Sequence, residues 1–340
     1  MSSTPPTTAT TTATATDAAP ARSDTASAAT GTTSAATRSA RTPRRATATR
    51  RTATAHASNP FQFFALRVLR SQRLSRSLLR VTLGGEELRR FASAGRDQRI
   101  KLFLPHPHQE APVLPVEADE LWFPRWQAMD PAERAVMRSY TIREQRRMPD
   151  EVDIDFALHG DTGPASRWAA RARPGDQVTL LGPVAEDNAG MDFRPPPDAD
   201  WVLLAADETA LPAVAGILDW LPPGTRARVW IEVPHTEDQI TLSTRADATI
   251  TWLSRDQAPG PRSTELLPNA IRNADLPGGT PYAWIAGESA MVRSLRRHLV
   301  RERQIDRRRV KFTGYWRLGA TEEDLLNEAV ATGNQSPKDD

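Results

Sequence analysis

The chain has 340 residues and a formal net charge of +2, from 44 basic and 42 acidic side chains. It contains no cysteine, which excludes disulfides, thiolate zinc sites and cysteine-bound iron–sulfur clusters. Because it also lacks a run of about 18 apolar residues and an apolar secretory core, we expect a cytoplasmic protein with no integral membrane segment.

Residues 1–58 are a low-complexity segment of Thr, Ala, Ser, Arg and Pro. Seven Arg and two Asp give this segment a net charge of +5, which leaves the remaining chain at −3, yet the segment holds no aromatic residue. Nucleic-acid binding needs basic residues interleaved with aromatics on a folded face, so we expect none. Without large apolar side chains the segment cannot offset its ordering entropy, and we predict a disordered tail.

Residues 59–195 are predicted to form the first folded domain. Short alternating segments separated by turn-rich connections are typical of a small antiparallel barrel. The predicted strands are Phe63–Leu69, Leu78–Leu83, Ile100–Leu104, Arg138–Arg143, Val152–Leu158 and Gln177–Leu181. The long connection over residues 105–134 carries Trp122, Phe123 and Trp126, which either line a ligand site or pack beneath the loop.

The strand Arg138–Arg143 reads RSYTIR and combines an aromatic ring, a hydroxyl and two cations. Tyr140 can stack on a flat heteroaromatic ring, Thr141 can hydrogen-bond a ring nitrogen, and a guanidinium can clamp a diphosphate. A flavin nucleotide has this combination of groups. An ordinary edge strand with solvated arginines is the alternative.

The next predicted strand leads into a segment that favours an anion site. Pro164 suits a first helical turn, and the region from Gly163 to Ser166 leaves amide donors free at a helix start. Two adjacent segments therefore predict the same phosphate-bearing ligand.

Residues 198–331 are predicted to form the second domain, in which apolar strands alternate with helical segments, followed by a polar tail over residues 332–340. This alternation indicates a parallel sheet with helices on its faces. The predicted strands are Trp201–Ala206, Ala227–Val233, Ile250–Leu253, Tyr282–Ala286 and Val310–Trp316, and the predicted helices are Ala210–Leu221, Thr264–Asn273, Ser289–Arg303 and Glu322–Ala329.

The first turn of this domain, Ala206–Ala210, has no glycine where a dinucleotide-binding fold places its phosphate loop. Asp207 and Glu208 stand there instead and would repel a pyrophosphate, so we expect weak NAD(P)H binding. Asp207 or Thr209 can act as a helix cap, which is an alternative to a ligand contact.

Four motifs in this order resemble the siderophore-interacting protein family, which comprises flavoprotein ferric-siderophore reductases of the ferredoxin-reductase-like superfamily. They are RSYTIR, HGDTGPASRW at His159–Trp168, DETALPA at Asp207–Ala213, and GYWR at Gly314–Arg317. The resemblance implies an antiparallel β-barrel FAD-binding domain followed by an α/β parallel-sheet domain. It implies FAD contacts from Arg138, Ser139, Tyr140, Thr141, Arg143, Asp155, His159, Ala165, Ser166, Asp207, Thr209 and Trp316.

Lys101 and Arg317 correspond by motif to basic positions that family members place beside the flavin for the siderophore. The implied reaction reduces a ferric siderophore and releases Fe(II), with electrons from NAD(P)H or reduced ferredoxin. A flavin-containing siderophore carrier or sensor without turnover is the alternative. We expect a monomer and no resident metal, since His106 and His108 lack a third ligand nearby and suit a solvated loop.

Overall fold

The computed structural model describes two sheets and the helices packed around them. The first strand, β1, spans Thr10–Thr12. The described residues are 10–12, 60–116, 118–119, 121–158, 163–258 and 265–331.

The first sheet is antiparallel throughout, with strand order β5-β4-β8-β2-β3-β7-β6. Its strands are β2 (Phe61–Arg73), β3 (Leu78–Gly84), β4 (Arg99–Leu104), β5 (Val136–Thr141), β6 (Glu144–Arg146), β7 (Glu151–Ala157) and β8 (Gln177–Pro183). A short 3-10 helix lies at Glu86–Arg90, and helices α1 (Trp122–Ala128) and α2 (Pro164–Arg171) occupy the connections.

This sheet curls until strands that are distant in its order meet. The Arg143 amide donates to the Asp153 carbonyl at 2.9 Å, which brings the end of β5 against β7. The rings of Tyr140 on β5 and Phe156 on β7 lie 4.5 Å apart. Side chains such as Phe64, Val81 and Leu102 fill the interior and are fully buried. The curl therefore sets β5 beside β7, where it meets the second sheet.

The second sheet has the order β1-β11-β10-β9-β12-β13, in which β9 to β13 are parallel and β1 runs antiparallel. Its strands are β9 (Trp201–Asp207), β10 (Arg226–Val233), β11 (Asp247–Ser254), β12 (Pro281–Glu288) and β13 (Val310–Trp316). The helices are α3 (Leu211–Trp220), α4 (Leu266–Arg272), α5 (Ser289–Arg297) and α6 (Glu322–Ala331), with a π-helical turn at His298–Glu302 and 3-10 turns at Thr236–Asp238, Arg255–Gln257 and Arg307–Arg309.

The segment that precedes β4 packs against α3 and β12 and so joins the two sheets. A Cβ on Gly216 of α3 would lie 2.3 Å from the Arg96 carbonyl oxygen, so only glycine permits this close approach. The indole of Trp284 on β12 donates to the buried Asp97 carboxylate at 2.9 Å. These contacts hold β5 opposite the carboxyl ends of the parallel strands.

Each predicted strand and helix overlaps an element of the structure. However, β5 ends at Thr141 where the prediction ended at Arg143, and α5 ends at Arg297 where the prediction ended at Arg303. Helix α1 forms in the connection that we predicted as a loop, and Trp126 is buried there against Phe103. The three connection aromatics therefore pack into a core. Within residues 1–58, which we predicted to be disordered, the structure describes β1, whose backbone pairs antiparallel with β11. The rest of that segment lies outside the described residues.

Among the described residues, no helix is both long enough and apolar enough to cross a membrane.

Candidate functional site

A cavity of about 620 Å³ opens where β5 faces the carboxyl ends of the parallel sheet. In that sheet the chain runs outward from β9 to β10 and β11, and then crosses back to β12 on the other side of β9, so the strand order reverses between β9 and β12. Ligands of open α/β sheets bind in the crevice that this reversal creates. The fold therefore places this cavity where a nucleotide is expected.

Strand β5 supplies one wall of the cavity through Arg138, Ser139, Tyr140 and Thr141. The Tyr140 ring is held by Phe156, and the Phe156 ring lies 5.8 Å from Trp168. Burial raises the pKa of the Tyr140 phenol well above its usual value, so the ring stays neutral. This wall offers a fixed aromatic plane to a flat ligand.

Thr141 connects the β5 wall to the opposite wall on β13. Its hydroxyl hydrogen-bonds the phenol oxygen of Tyr315, which also lines the cavity. Burial, the largest influence, raises the pKa of that phenol. Thr141 is itself 5% exposed, so its hydroxyl has few conformations open to it. The pair bridges the two domains across the cavity.

Arg138 and the start of α2 together form a cationic end of the cavity. The Arg138 guanidinium donates to the Met137 carbonyl at 2.7 Å, and no carboxylate pairs with it among the described residues. The first turn of α2 presents the Ala165 and Ser166 amides, which intrahelical bonds leave without acceptors. A partly buried guanidinium beside a helix start is a suitable site for a phosphate.

Asp155 on β7 lies in the same wall, but its charge is already balanced. Arg80 donates to both of its carboxylate oxygens, at 2.7 and 2.9 Å. Ser166, at the start of α2, donates its hydroxyl to the Ala157 carbonyl at 3.3 Å. The neighbouring Asp155 therefore adds shape and a hydrogen-bond acceptor without opposing an anionic ligand.

Asp207, at the end of β9, lies behind the cavity wall and is 2% exposed. Four donors converge on its carboxyl group: the Thr209 amide and hydroxyl, the Glu288 amide and the Trp316 indole, at 2.5 to 2.9 Å. Burial, and next the nearby Glu208 charge, raise the pKa of Asp207 to about 7. Asp207 therefore orients Thr209 and Trp316, which do line the cavity.

Gly287 makes room for this arrangement. Its φ is +142°, and a Cβ at this position would lie 2.6 Å from the Asp207 carboxyl carbon. The pairing of β12 with β13 shifts register at the same place. A larger residue would push Asp207 away from the Trp316 indole.

Glu208 is buried beside Asp207 and is neutralised by an arginine. Arg255 donates to both Glu208 oxygens, at 2.9 and 2.6 Å, and to Glu232 at 3.0 Å. Burial raises the pKa of Glu232 despite this contact. The two acids of the β9–α3 turn thus face inward with partners, and the repulsion that we expected against a dinucleotide is largely removed.

The structure gathers most of the predicted cofactor residues around the cavity. Those that line it are Arg138, Ser139, Tyr140, Thr141, Asp155, Ala165, Ser166, Thr209 and Trp316. Arg143 is not among them, because its guanidinium turns to α3 and pairs with Asp219 at 2.9 Å. Asp207 acts from behind the wall, and His159 lies outside the described residues.

The two predicted substrate residues flank the cavity and meet the carboxylates of α6. Lys101 donates to the Ser139 hydroxyl at 2.6 Å and lies 3.7 Å from Glu322. Arg317 makes two hydrogen bonds to Glu328, at 2.9 and 2.6 Å. Both cations are therefore partly neutralised by the last helix.

Sequence reasoning missed several cavity residues: Arg99, Ala157, Pro212, Thr313, Gly314, Tyr315, Gly319, Ala320, Thr321 and Glu322. Several of these belong to the motifs already quoted, but Glu322 does not. The Thr321 hydroxyl accepts from the Asp324 amide, and Asp324 accepts from the Thr321 amide, so a capping pattern marks the start of α6. That signal locates a helix start and does not reveal where the helix docks.

The two histidines that we predicted in a solvated loop contact residues of the connection between β4 and β5. His106 contacts the Arg134 carbonyl at 3.0 Å, and His108 lies 3.8 Å from Glu133.

Comparison with known proteins connects this geometry to a family. The siderophore-interacting FAD-binding domain matches residues 67–187, and the siderophore-interacting protein domain matches residues 199–319. The chain belongs to the siderophore-interacting protein family. The ferric vibriobactin reductase ViuB of Vibrio cholerae is 34% identical over 261 residues, which cover 76% of this chain and 90% of that protein.

Two further comparisons extend the family match. The NADPH-dependent ferric-chelate reductase of Escherichia coli is 31% identical over 264 residues, covering 76% of this siderophore-interacting protein and 94% of the relative. A siderophore utilization protein from T. fusca has a TM-score of 0.67 at 34% identity, with 77% of this chain and 95% of that chain covered.

A more distant structure identifies the fold class. A ferredoxin reductase of a carbazole 1,9a-dioxygenase shares the fold at a TM-score of 0.52 and 14% identity, with 76% of this chain and 71% of that chain covered. The predicted ferredoxin-reductase-like fold class is confirmed.

Proposed function

We propose that this siderophore-interacting protein is an FAD-dependent reductase of ferric siderophores. The observation that carries the proposal is the cavity, in which the Tyr140 ring and Thr141 hydroxyl lie in one wall with the Arg138–α2 cationic end. An isoalloxazine and a diphosphate need these two surfaces in one recess. Relatives named as a ferric vibriobactin reductase and a ferric-chelate reductase support the substrate class.

The residues present fit FAD in type as well as in place. Tyr140 offers the stacking plane, while Arg138 and the Ala165 and Ser166 amides would hold the diphosphate. Thr209 and Trp316, oriented by Asp207, would contact the far end of the nucleotide. When bound, FAD would supply the conversion of a two-electron donor into single-electron steps.

The protein's own contribution is binding and electrostatics. Lys101 and Arg317 would attract an anionic ferric chelate to the rim of the cavity, and no general acid or base is required for electron transfer to iron. One NAD(P)H is oxidised for every two Fe(III) ions reduced to Fe(II), which oxygen ligands hold weakly. The proposal places this reaction in the cytoplasm, where NAD(P)H is available.

The donor that we propose is NAD(P)H. Arg255 compensates the charge of Glu208, so the turn after β9 repels a dinucleotide less than its sequence suggests. One relative is also named as NADPH-dependent. Reduction by a ferredoxin and the monomeric state stay predictions.

Anaerobic stopped-flow absorbance of the FAD-loaded protein tests the proposal. NADPH should bleach the flavin band, and addition of a ferric siderophore should restore it while a ferrous chelator captures Fe(II). Repeated turnover with excess donor supports a reductase. Tight siderophore binding without flavin reoxidation would instead indicate a carrier or sensor, and reduction by ferredoxin alone would overturn the donor assignment.

A further inference from the structure

Three potential metal ligands converge on a surface that the proposed reaction does not use. One nitrogen of His235 and one carboxylate oxygen from each of Glu237 and Asp256 all lie within 4.8 Å of one another. The His235 Nδ1 atom is 3.7 Å from an Asp256 oxygen. Ligand atoms around a first-row ion at about 2.1 Å are roughly 3–4 Å apart, so modest side-chain rotation would close this triad.

The two short turns that carry the triad are fixed to each other. The Asp256 amide donates to the Pro234 carbonyl at 3.2 Å, and the Thr236 amide donates back to the Asp256 carboxylate at 3.2 Å. The buried Asp238 accepts from the His235 amide at 3.1 Å. The Cα positions of the three ligands are therefore set before any ion arrives, which lowers the cost of binding.

The charge of the triad is also uncompensated. Among the described residues, no lysine or arginine pairs with Glu237 or Asp256. Their neighbour Arg255 is committed to Glu208 and Glu232. Two carboxylates this close repel each other, and a divalent cation between them would remove that repulsion.

We propose that His235, Glu237 and Asp256 form a site for a divalent first-row transition-metal ion. One imidazole and two carboxylates suit Zn²⁺, Fe²⁺ and Mn²⁺, and three protein ligands leave positions open for water or exchange. Glu237 and Asp256 are exposed, so an ion can enter and leave from solvent. The site is a loading and release position and not a closed structural centre.

The location suggests which ion reaches the site. His235 follows β10 and Asp256 follows β11, so the triad lies on the carboxyl edge of the parallel sheet, as the cavity does. Arg255, next to Asp256 of the triad, pairs with Glu208, which precedes Thr209 in the cavity wall. Fe²⁺ released from a reduced chelate would emerge on this edge; this link rests on the proposed function, while the metal site does not.

Calorimetric titration of the FAD-loaded full chain with Zn²⁺ alone tests the site. We expect one saturable site whose affinity falls at least tenfold in His235→Ala and in Glu237→Gln. Glu237 is exposed and its replacement is isosteric, so that variant keeps the fold. His108→Ala is the matched control, because His108 pairs with Glu133 and no third potential ligand joins them among the residues that the structure describes. Its titration should match the wild type.

Absence of saturable Zn²⁺ binding, or equal affinity in wild type, His235→Ala and Glu237→Gln, would overturn the proposal. The titration involves no electron transfer, so its failure leaves the reductase untouched. A protein that binds Zn²⁺ at this site but does not reduce ferric siderophores would refute the proposed function alone.

Discussion

The indole of Trp316 donates to the Asp207 carboxyl group at 2.8 Å, which ties the end of β13 to the end of β9 behind the cavity. Trp316 lines the cavity and Asp207 does not. The same carboxyl also accepts from the Glu288 amide, so the ends of three parallel strands meet at one buried group. The protonation state of Asp207 is therefore coupled to the shape of the wall.

Asp207 should make stability depend on pH. Its pKa in the folded state is about 7, above the usual 3.8, so the folded protein holds a proton that the unfolded chain has lost. The contribution of Asp207 to the free energy of unfolding is fully present below pH 4 and is lost as the pH rises through 7. It amounts to about 1.4 kcal/mol for each unit by which the folded and unfolded pKa values differ.

The Asp207→Asn variant separates this effect from other titrations. Asn cannot accept from four donors, so the variant should be less stable by about 1–3 kcal/mol at pH 5. Its stability should fall less between pH 5 and pH 7 than that of the wild type. Urea unfolding at several pH values measures both, and parallel pH profiles would contradict the raised pKa.

Substitutions of Arg138 and of Arg143 should have different effects, one on FAD affinity and the other on stability. Arg138→Ala removes a charge-assisted contact to the diphosphate, which is worth about 1.5–3 kcal/mol, or roughly ten- to a hundredfold in FAD affinity. Arg143→Ala breaks the pair with Asp219 between the domains, and should lower the melting temperature with little change in FAD affinity. Fluorescence titration of the apoprotein with FAD gives both affinities. A larger affinity loss in Arg143→Ala than in Arg138→Ala would mean that Arg143 holds the diphosphate.

Most elements of the fold could be predicted from the sequence because their apolar residues form clear patterns. Apolar residues alternate in Val152–Leu158 and are continuous in Trp201–Ala206. The positions of α2 and α3 followed from Pro164 and from the apolar run after Ala210. The features that the sequence could not show depend on partners far along the chain. The sequence around Arg143 does not show that its side chain pairs with Asp219. Likewise, the acids at 207–208 do not show that Arg255 pairs with Glu208.

The α6 carboxylates should compete with an anionic substrate. Glu322 and Glu328 neutralise Lys101 and Arg317, so the double variant Glu322→Gln, Glu328→Gln should lower KM for an anionic ferric siderophore roughly two- to fivefold. The rate should also fall more steeply with ionic strength.

Glu323→Gln is the control for α6. Glu323 lies on the same helix but pairs with Arg134, so its replacement should leave KM unchanged. Steady-state rates at several salt concentrations distinguish the variants. An equal effect in both would mean that α6 acts by its overall charge and not through Lys101 and Arg317.

Arg255 should support both the fold and the use of NADPH. Its side chain is 14% exposed, and its partners Glu208 and Glu232 are 0% and 8% exposed. Arg255→Ala leaves two buried carboxylates without a cation, which costs about 3–5 kcal/mol at neutral pH. The loss should be smaller at pH 5, because burial raises the pKa of Glu232 and its protonation in the variant relieves part of the buried charge.

The functional consequence of Arg255→Ala follows from the same charges. An uncompensated Glu208 at the turn after β9 would repel a dinucleotide, so KM for NADPH should rise while FAD affinity stays close to that of the wild type. Arg308→Ala is the control, because Arg308 is 84% exposed and pairs with its neighbour Asp306. Urea unfolding and flavin bleaching by NADPH, measured on both variants, test this pair of effects. An unchanged KM in a destabilised Arg255→Ala variant would show that NADPH does not approach this turn.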